Sequence, residues 1–402
     1  MQQAVDLALR QNPQILLAQQ AIEAAEGRII QAGAMPPAEI FSRVDEISFD
    51  LGEQDEFEIG LNQGFEFPGK RSRRKEAAHA DQQMAELRLV RLRALLTIEV
   101  KKSYYENLLA DESLSAQEFS VQILEDLHRL LTQRYQSGAA SYVDLVRSRI
   151  ELGRSRGALA GARQQRIAAL SRFNLLLGRE NDSPLQFSDS LAFSPLEQPS
   201  DTLLAQIVRQ SNLRKIFAAA VERERCALRL AQLDGRPDFS LGASYQRTAE
   251  NPPFTATHPE GEIVNAFSVE ASLSLPLFNR AGPKGEMRIA RAELGAAETE
   301  LVYFDRQLRH NFDSAFAAVL ATEEQAREYR DIVLPESQNA VGAAVAAYQS
   351  DQIPLTDLLD IYRTAQLARL EKAQSVFNCL AARADLEVVG EILKPNSLQE
   401  LP

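Results

Sequence analysis

Residues 70–136 read KRSRRKEAAHADQQMAELRLVRLRALLTIEVKKSYYENLLADESLSAQEFSVQILEDLHRLLTQRYQ, with neither glycine nor proline. At about 1.5 Å per residue, one helix over that stretch is on the order of 100 Å long. Helices of globular proteins average about 11–12 residues. The apolar spacing supports an unbroken helix, because Val121, Leu124, Leu127, Leu131 and Tyr135 step by three or four. Ile123, Leu127 and Leu130 make a second stripe beside the first. Two adjacent apolar flanks need neighbours on both sides, as in a layer or tube of helices.

Downstream, Ser137-Gly138-Ala139-Ala140 is a turn, and Ser141 to Leu177 reads as a return helix closed by Gly178. Residues 179–200 carry Pro184, Pro195 and Pro199 and read as a linker. The helical pattern resumes from Thr202 to Leu233, from Gly285 to Ala347 and from Leu355 to Val389. Pro335 is expected to bend the second of these, and Gly295 and Gly342 to weaken it.

The same order of segments occurs twice. Leu9-Arg10-Gln11-Asn12 resembles Val208-Arg209-Gln210-Ser211, and Phe65-Glu66-Phe67-Pro68 has its counterpart in Leu273-Ser274-Leu275-Pro276. Tyr135-Gln136-Ser137 recurs as Tyr348-Gln349-Ser350, and Asp144-Leu145 as Asp357-Leu358. Each half therefore reads helix, two strands, very long helix, tight turn, long return helix.

The strand segments alternate. Phe57, Ile59, Leu61, Phe65 and Phe67 are spaced by Glu58, Gly60, Asn62, Gly64 and Glu66. Phe239, Leu241, Ala243 and Tyr245 alternate with polar or small residues, as do Phe267, Val269, Ala271, Leu273 and Leu275. Residues from Ile40 to Ile47 are a weaker fourth candidate. Period two means one apolar and one polar face. It suits either a sheet covering a core or strands in a membrane. Segments of about 10 residues span a bilayer when tilted. The loops from Ser48 to Glu56 and from Ala249 to Glu262 are polar, and the long helices are committed to one another. These features favour the membrane. Four strands cannot enclose a lumen, and open sheet edges are not tolerated in lipid, so several copies must pool their strands.

Other function classes lack support in the sequence. With 44 Lys plus Arg against 56 Asp plus Glu the net charge is −12, which disfavours nucleic acid as a partner. Cys226 and Cys379 are too few for a disulfide framework or a thiolate zinc site and read as buried apolar residues. His79, His128, His258 and His310 show no metal-ligand spacing. No run of about 18 apolar residues is present, and Met1 to Asp6 has no basic flank of a signal peptide. Gly64-Phe65-Glu66-Phe67-Pro68-Gly69-Lys70 has P-loop spacing up to its lysine. Arg71 then stands where a magnesium-binding hydroxyl is needed, and Pro68 removes a backbone donor. No hydrolase motif occurs. The chain is read as no enzyme, with no catalytic residue, cofactor or metal site.

The repeated helix–hairpin–helix halves resemble the outer-membrane factors, the TolC family of efflux channels, over almost the whole chain. The Phe67-Pro68-Gly69-Lys70-Arg71 junction is most similar to the heavy-metal, CzcC/CusC-type branch. The resemblance implies a mainly α fold with a membrane β portion: a homotrimer with a 12-stranded β-barrel on a 12-helix α-barrel. It places the chain in the outer membrane, in contact with lipid, with its helical part in the periplasm. It also implies a periplasmic adaptor and, through it, a proton-driven inner-membrane pump. On that reading residues 1–37 are a periplasmic helix, 38–67 a membrane hairpin, 69–178 a long helical hairpin and 179–200 an equatorial linker. In the second repeat 201–236 are the helix, 237–276 the membrane hairpin and 283–390 the helical hairpin, with 391–402 a tail.

The turn motif carries the most specific match. Tyr348 followed by Asp357-Leu358-Leu359-Asp360 resembles the segment that constricts the periplasmic end of these channels, with Tyr135 as the first-repeat aromatic. Asp351 stands where the family has glycine, while Gly138 keeps it in the first repeat. In a trimer Asp144, Asp357 and Asp360 would each appear three times, and such carboxylate rings attract cations and repel one another. The bland readings stand beside this one. Ser141-x-x-Asp144 fits a capping box, and Pro354 at a first helical position puts Asp357 in a first turn. The turns Gly138, Ala139, Ala140, Ser141 and Asp351, Gln352, Ile353, Pro354 either contact the adaptor or merely reverse the chain. Lys70, Arg71, Arg73, Arg74 and Lys75 form a basic run at a helix start, where the dipole disfavours cations and lipid headgroups offer counter-charge.

The function expected is a passive exit duct of a tripartite efflux system, exporting heavy-metal cations. The rivals are a soluble coiled-coil scaffold and a periplasmic adaptor. The tandem repeat argues against the adaptor.

Overall fold

A computed structural model describes residues 1–45, 56–185, 187, 189–250, 262–275 and 281–391. The chain forms two compact units that interleave in sequence. One comprises Met1–Gln19, Arg88–Arg214 and Phe304–Pro402, the other Gln20–Leu87 and Lys215–Tyr303.

Each repeat opens with two helices, where the sequence suggested one. These are α1 (Gln2–Gln11) and α2 (Pro13–Ala32), then α5 (Ser200–Gln210) and α6 (Asn212–Asp234) in the second repeat. The breaks fall at Asn12 and Ser211, equivalent positions of the repeat. Pro13 lacks the N–H that would continue α1, and Asn12 Oδ1 accepts from Gln14 N at 2.9 Å. Ser211 Oγ accepts from Arg214 N at 3.2 Å. Both residues act as side-chain caps that restart a helix.

The long hairpins are α3 (Lys70–Gln136) with α4 (Tyr142–Leu176), and α7 (Ala281–Glu328) with α8 (Leu334–Gln349) and α9 (Leu355–Gly390). A π-helical turn, Tyr329–Val333, joins α7 to α8. Its origin is visible in the repeat. Buried pairs Leu96/Leu308, Val100/Phe312 and Asn107/Val319 are 212 residues apart, whereas Leu124/Ser337 and Leu131/Ala344 are 213 apart. The second repeat carries one extra residue between those pairs, and the π turn absorbs it. Pro335 lies just beyond and disrupts the α-helical hydrogen bond to Asp331. The bend expected at Pro335 is thus a change of helix type before it.

In the second unit β1 (Ala38–Asp45), β2 (Glu56–Phe65), β3 (Asp238–Glu250) and β4 (Glu262–Ser274) form one antiparallel sheet in that order. The register puts Ile40 beside Leu61 and Val44 beside Phe57; Leu61 pairs with Ala243, and Ala243 with Val269. Phe57, Ile59, Leu61, Phe239, Leu241, Phe267, Val269 and Leu273 all lie on this face and are exposed, Phe267 at 86% and Val269 at 84%. The opposite face carries Glu58, Asn62, Gln246 and Glu270 among glycines and serines, so the apolar face is not the inside of a core. Phe41 is an apolar exception there. It sits opposite Gly60, where a Cβ would come within 2.4 Å of its ring. The outer edges of β1 and β4 have no partner strand among the described residues. The joining segments 46–55 and 251–261, most of the two loops named above, lie outside the described residues, as do Ile47, His258, Pro276 and the tail from 392.

In the first unit a core forms where the hairpins turn. Val121, Leu124 and Leu131 of α3 meet Leu152 and Leu159 of α4 and Leu355, Leu358 and Leu359 of α9. The linker packs down rather than hanging free: Phe187 joins Tyr104 and Phe173, and Tyr104 donates to Asp189 at 2.5 Å. Glu391 is buried. It pairs with Arg91 at 2.6 Å and accepts from Asn212 N and Leu213 N at the start of α6. A carboxylate there meets both the unpaired donors and the positive end of that helix.

Candidate functional site at the hairpin turns

The two turns are built alike. Ala139 N donates to Arg134 O at 2.7 Å and Gly138 N to Tyr135 O at 3.0 Å. In the second repeat Gln352 N donates to Ala347 O at 2.8 Å and Asp351 N to Tyr348 O at 3.2 Å. Both follow the Schellman pattern, whose pivotal residue is left-handed. Gly138 has φ 79° and Asp351 φ 56°. Glycine adopts that region freely; an aspartate there is strained.

Ser141 caps α4, accepting from Asp144 N at 3.1 Å while its hydroxyl donates to Asp144 Oδ2 at 2.7 Å. Asp144 is half-buried and belongs to this cap. Pro354 is the N-cap of α9 and Leu355 its first helical residue, one position later than the spacing suggested. Asp357 is still in the first turn, exposed, and receives the Thr356 hydroxyl at 3.2 Å. Asp360 is exposed one turn on and accepts from Arg363 at 2.7 Å. Of the three aspartates, Asp357 alone has no cation partner or capping role among the described residues.

The hairpins are joined here by contacts that spacing did not reveal. Arg363 also grips Glu151 of α4, Nε donating at 3.0 Å and the terminal nitrogen forming a shorter bond. The Arg363 guanidinium, helped by Arg154, holds the Glu151 carboxyl below the usual glutamate range. Arg134 of α3 lies 5.9 Å over the Tyr348 ring and 3.6 Å from Asp351. Burial pushes the Tyr348 hydroxyl up, against the nearby Arg134. Tyr348 is therefore half-buried between hairpins, whereas Tyr135 is exposed and meets Tyr142 at 5.9 Å. In the turns Ala140 and Ile353 pack on the core, while Gly138, Ala139, Ser141, Asp351, Gln352 and Pro354 are exposed. Arg363 lies three residues after Asp360, a spacing open to reading. Its tie to Glu151 spans 212 residues and leaves no local trace.

The basic run, in the second unit, is largely compensated from within. Lys70 is buried and donates to both oxygens of Asp238 at 2.9 Å. Asp238 also accepts from Phe67 N at 2.7 Å. This removes the phosphate reading of the Gly64–Lys70 segment, because its lysine is spent on a carboxylate. Arg74 makes a bidentate pair with Glu66 and Arg73 pairs with Glu76. Lipid headgroups are thus not needed as counter-charge for these three; Arg71 and Lys75 remain exposed, without an ion pair among the described residues.

Cys226 and Cys379 are buried free thiols; burial raises both, Cys379 to about 11, which leaves them unreactive. His128 bonds Ser148 at 2.8 Å across the first hairpin. Among the described residues no group of His, Cys, Asp and Glu side chains is arranged to hold a metal, and no helix is long and apolar enough to cross a membrane.

Residues 42–179 and 208–389 match the sequence profile of the family described as outer membrane efflux protein. The cobalt-zinc-cadmium resistance protein CzcC of Cupriavidus metallidurans is 24% identical over 369 residues, covering 91% of this chain and 84% of that protein. Among solved structures, CusC superposes with a TM-score of 0.80 at 17% identity, covering 97% of this chain and 91% of that one. The CmeC outer membrane channel of Campylobacter jejuni gives 0.80 at 15% identity, with 97% and 85% covered.

Proposed function

The chain belongs to the outer membrane efflux protein family, and on that premise we propose that it is the passive exit duct of a tripartite export system, working as a homotrimer. Three copies of the four-stranded sheet supply twelve strands, enough for a barrel with a polar lumen. The observation that carries this reading is the sheet itself: an exposed apolar face, a polar opposite face, and two edges unpartnered among the described residues. A sheet of that kind is stable in hydrocarbon only when its edges are closed. The long hairpins would line the periplasmic tunnel, and the hairpin turns would meet a periplasmic adaptor that couples the duct to a proton-driven inner-membrane pump. Asp144, Asp357 and Asp360 would ring the closing end, filtering cations and holding the gate poised.

Heavy-metal cations are the cargo this reading favours. Two observations support it: the likeness to a cobalt-zinc-cadmium resistance protein, and exposed carboxylates at the turns. Removing the gene is expected to sensitise the cell to cobalt, zinc and cadmium, with resistance restored by the intact chain. Unchanged tolerance to all three metals overturns the cargo assignment. The duct assignment is tested separately, by native mass spectrometry in detergent, which should find three chains. A dispersed monomer without detergent would favour the scaffold reading.

A further inference from the structure

We infer that the second unit carries a cationic collar, formed by Arg71 and Lys75 of α3 and Lys284 and Arg288 of α7, that binds the phosphate groups of anionic lipid at the periplasmic face of the membrane. This rests on the sheet being the membrane-spanning part. α3 begins five residues after β2 ends, and α7 seven after β4 ends. All four cations lie in the first two or three turns of these helices and are exposed. In both repeats they therefore follow the sheet strands closely along the chain.

Three neighbouring carboxylates are already engaged. Glu66 holds Arg74, Glu76 holds Arg73 and Asp238 holds Lys70. Burial pushes the Asp234 carboxyl, at the end of α6, up, with the nearby Lys70 opposing the shift and Glu286 adding to it. No ion pair reaches Arg71, Lys75, Lys284 or Arg288 among the described residues. The helix ends add to the imbalance. α3 and α7 carry no acidic residue in the first turn, and neither do α1, α2 and α6. Arg71 and Lys284, in the first turns of the two helices that follow the sheet, meet the positive end of the helix dipole, an unfavourable arrangement unless an anion faces them. In a chain of net charge −12, exposed cations at the start of both helices that follow the sheet match a surface of anionic headgroups. Near such a surface each contributes about 1 kcal/mol and is screened by salt.

The test is retention of lipid by the detergent-purified chain, read by native mass spectrometry with phosphatidylglycerol against phosphatidylcholine. The wild-type chain should retain several-fold more phosphatidylglycerol, and the preference should fall with added salt. The variant Arg71→Gln/Lys75→Gln/Lys284→Gln/Arg288→Gln should lose it while keeping its oligomer mass. Equal retention of both lipids by wild type, or an unchanged preference in the variant, overturns the collar. Insertion into pure phosphatidylcholine bilayers separates this from the duct: wild type and variant should both insert, and failure of both would overturn the membrane reading instead.

Discussion

Asp351 occupies a left-handed position that its counterpart fills with Gly138. An L-residue there costs roughly 1–2 kcal/mol, partly offset by the loose pair with Arg134 at 3.6 Å. Asp351→Gly is therefore expected to stabilise the chain by about 1 kcal/mol, read as a higher denaturant midpoint with an unchanged slope. A lower midpoint would mean that the Arg134 contact outweighs the strain. Glu151 behaves differently with pH. Its carboxyl lies below the ordinary value of 4.5, so its pairing with Arg363 stabilises the fold above that pH and is lost as pH falls through the lowered value. The gap in melting temperature between wild type and Glu151→Gln should be present at pH 7 and close in strong acid. A gap independent of pH would assign the effect to packing. Among the gate candidates Asp360 is neutralised by Arg363 and Asp357 is not. Asp357→Asn should then raise single-channel conductance or lower cation selectivity more than Asp360→Asn. Equal or absent effects remove Asp357 from the gate. The cap at Asp144 and the first-turn place of Asp357 were legible because both are local; the Glu151–Arg363 tie was not, because only folding brings those residues together.

At the scale of elements, periodicity located every long helix, since a 67-residue run without a breaker has few alternatives. It merged α1 with α2 and α5 with α6, because the breaks at Asn12 and Ser211 depend on caps within apolar patterns that otherwise continue. The π turn was also hidden. One inserted residue is invisible until buried partners fix the register on both sides of it. On the sheet, Gly60 gives room to the Phe41 ring across the strands. Gly60→Val should destabilise by about 1–3 kcal/mol through overpacking, and Phe41→Ala should recover part of that loss in a double-variant cycle. Additive losses would show that the ring does not depend on the glycine.

For the whole molecule, the alternating strands posed the one question that pattern leaves open, which face meets water. The fold answers for a single chain: residues of the apolar alternation stay exposed and polar small residues share the other side. Number of copies was never legible in composition or period, since it follows from strand count and closure. Nitroxide accessibility in proteoliposomes decides which sheet face meets lipid, with single labels at Val269→Cys and Ser268→Cys in a chain whose two native thiols are buried. The label at 269 should collide with oxygen dissolved in the lipid, while the label at 268 should collide with a water-soluble nickel complex. Equal exposure of both labels to the nickel complex would contradict it.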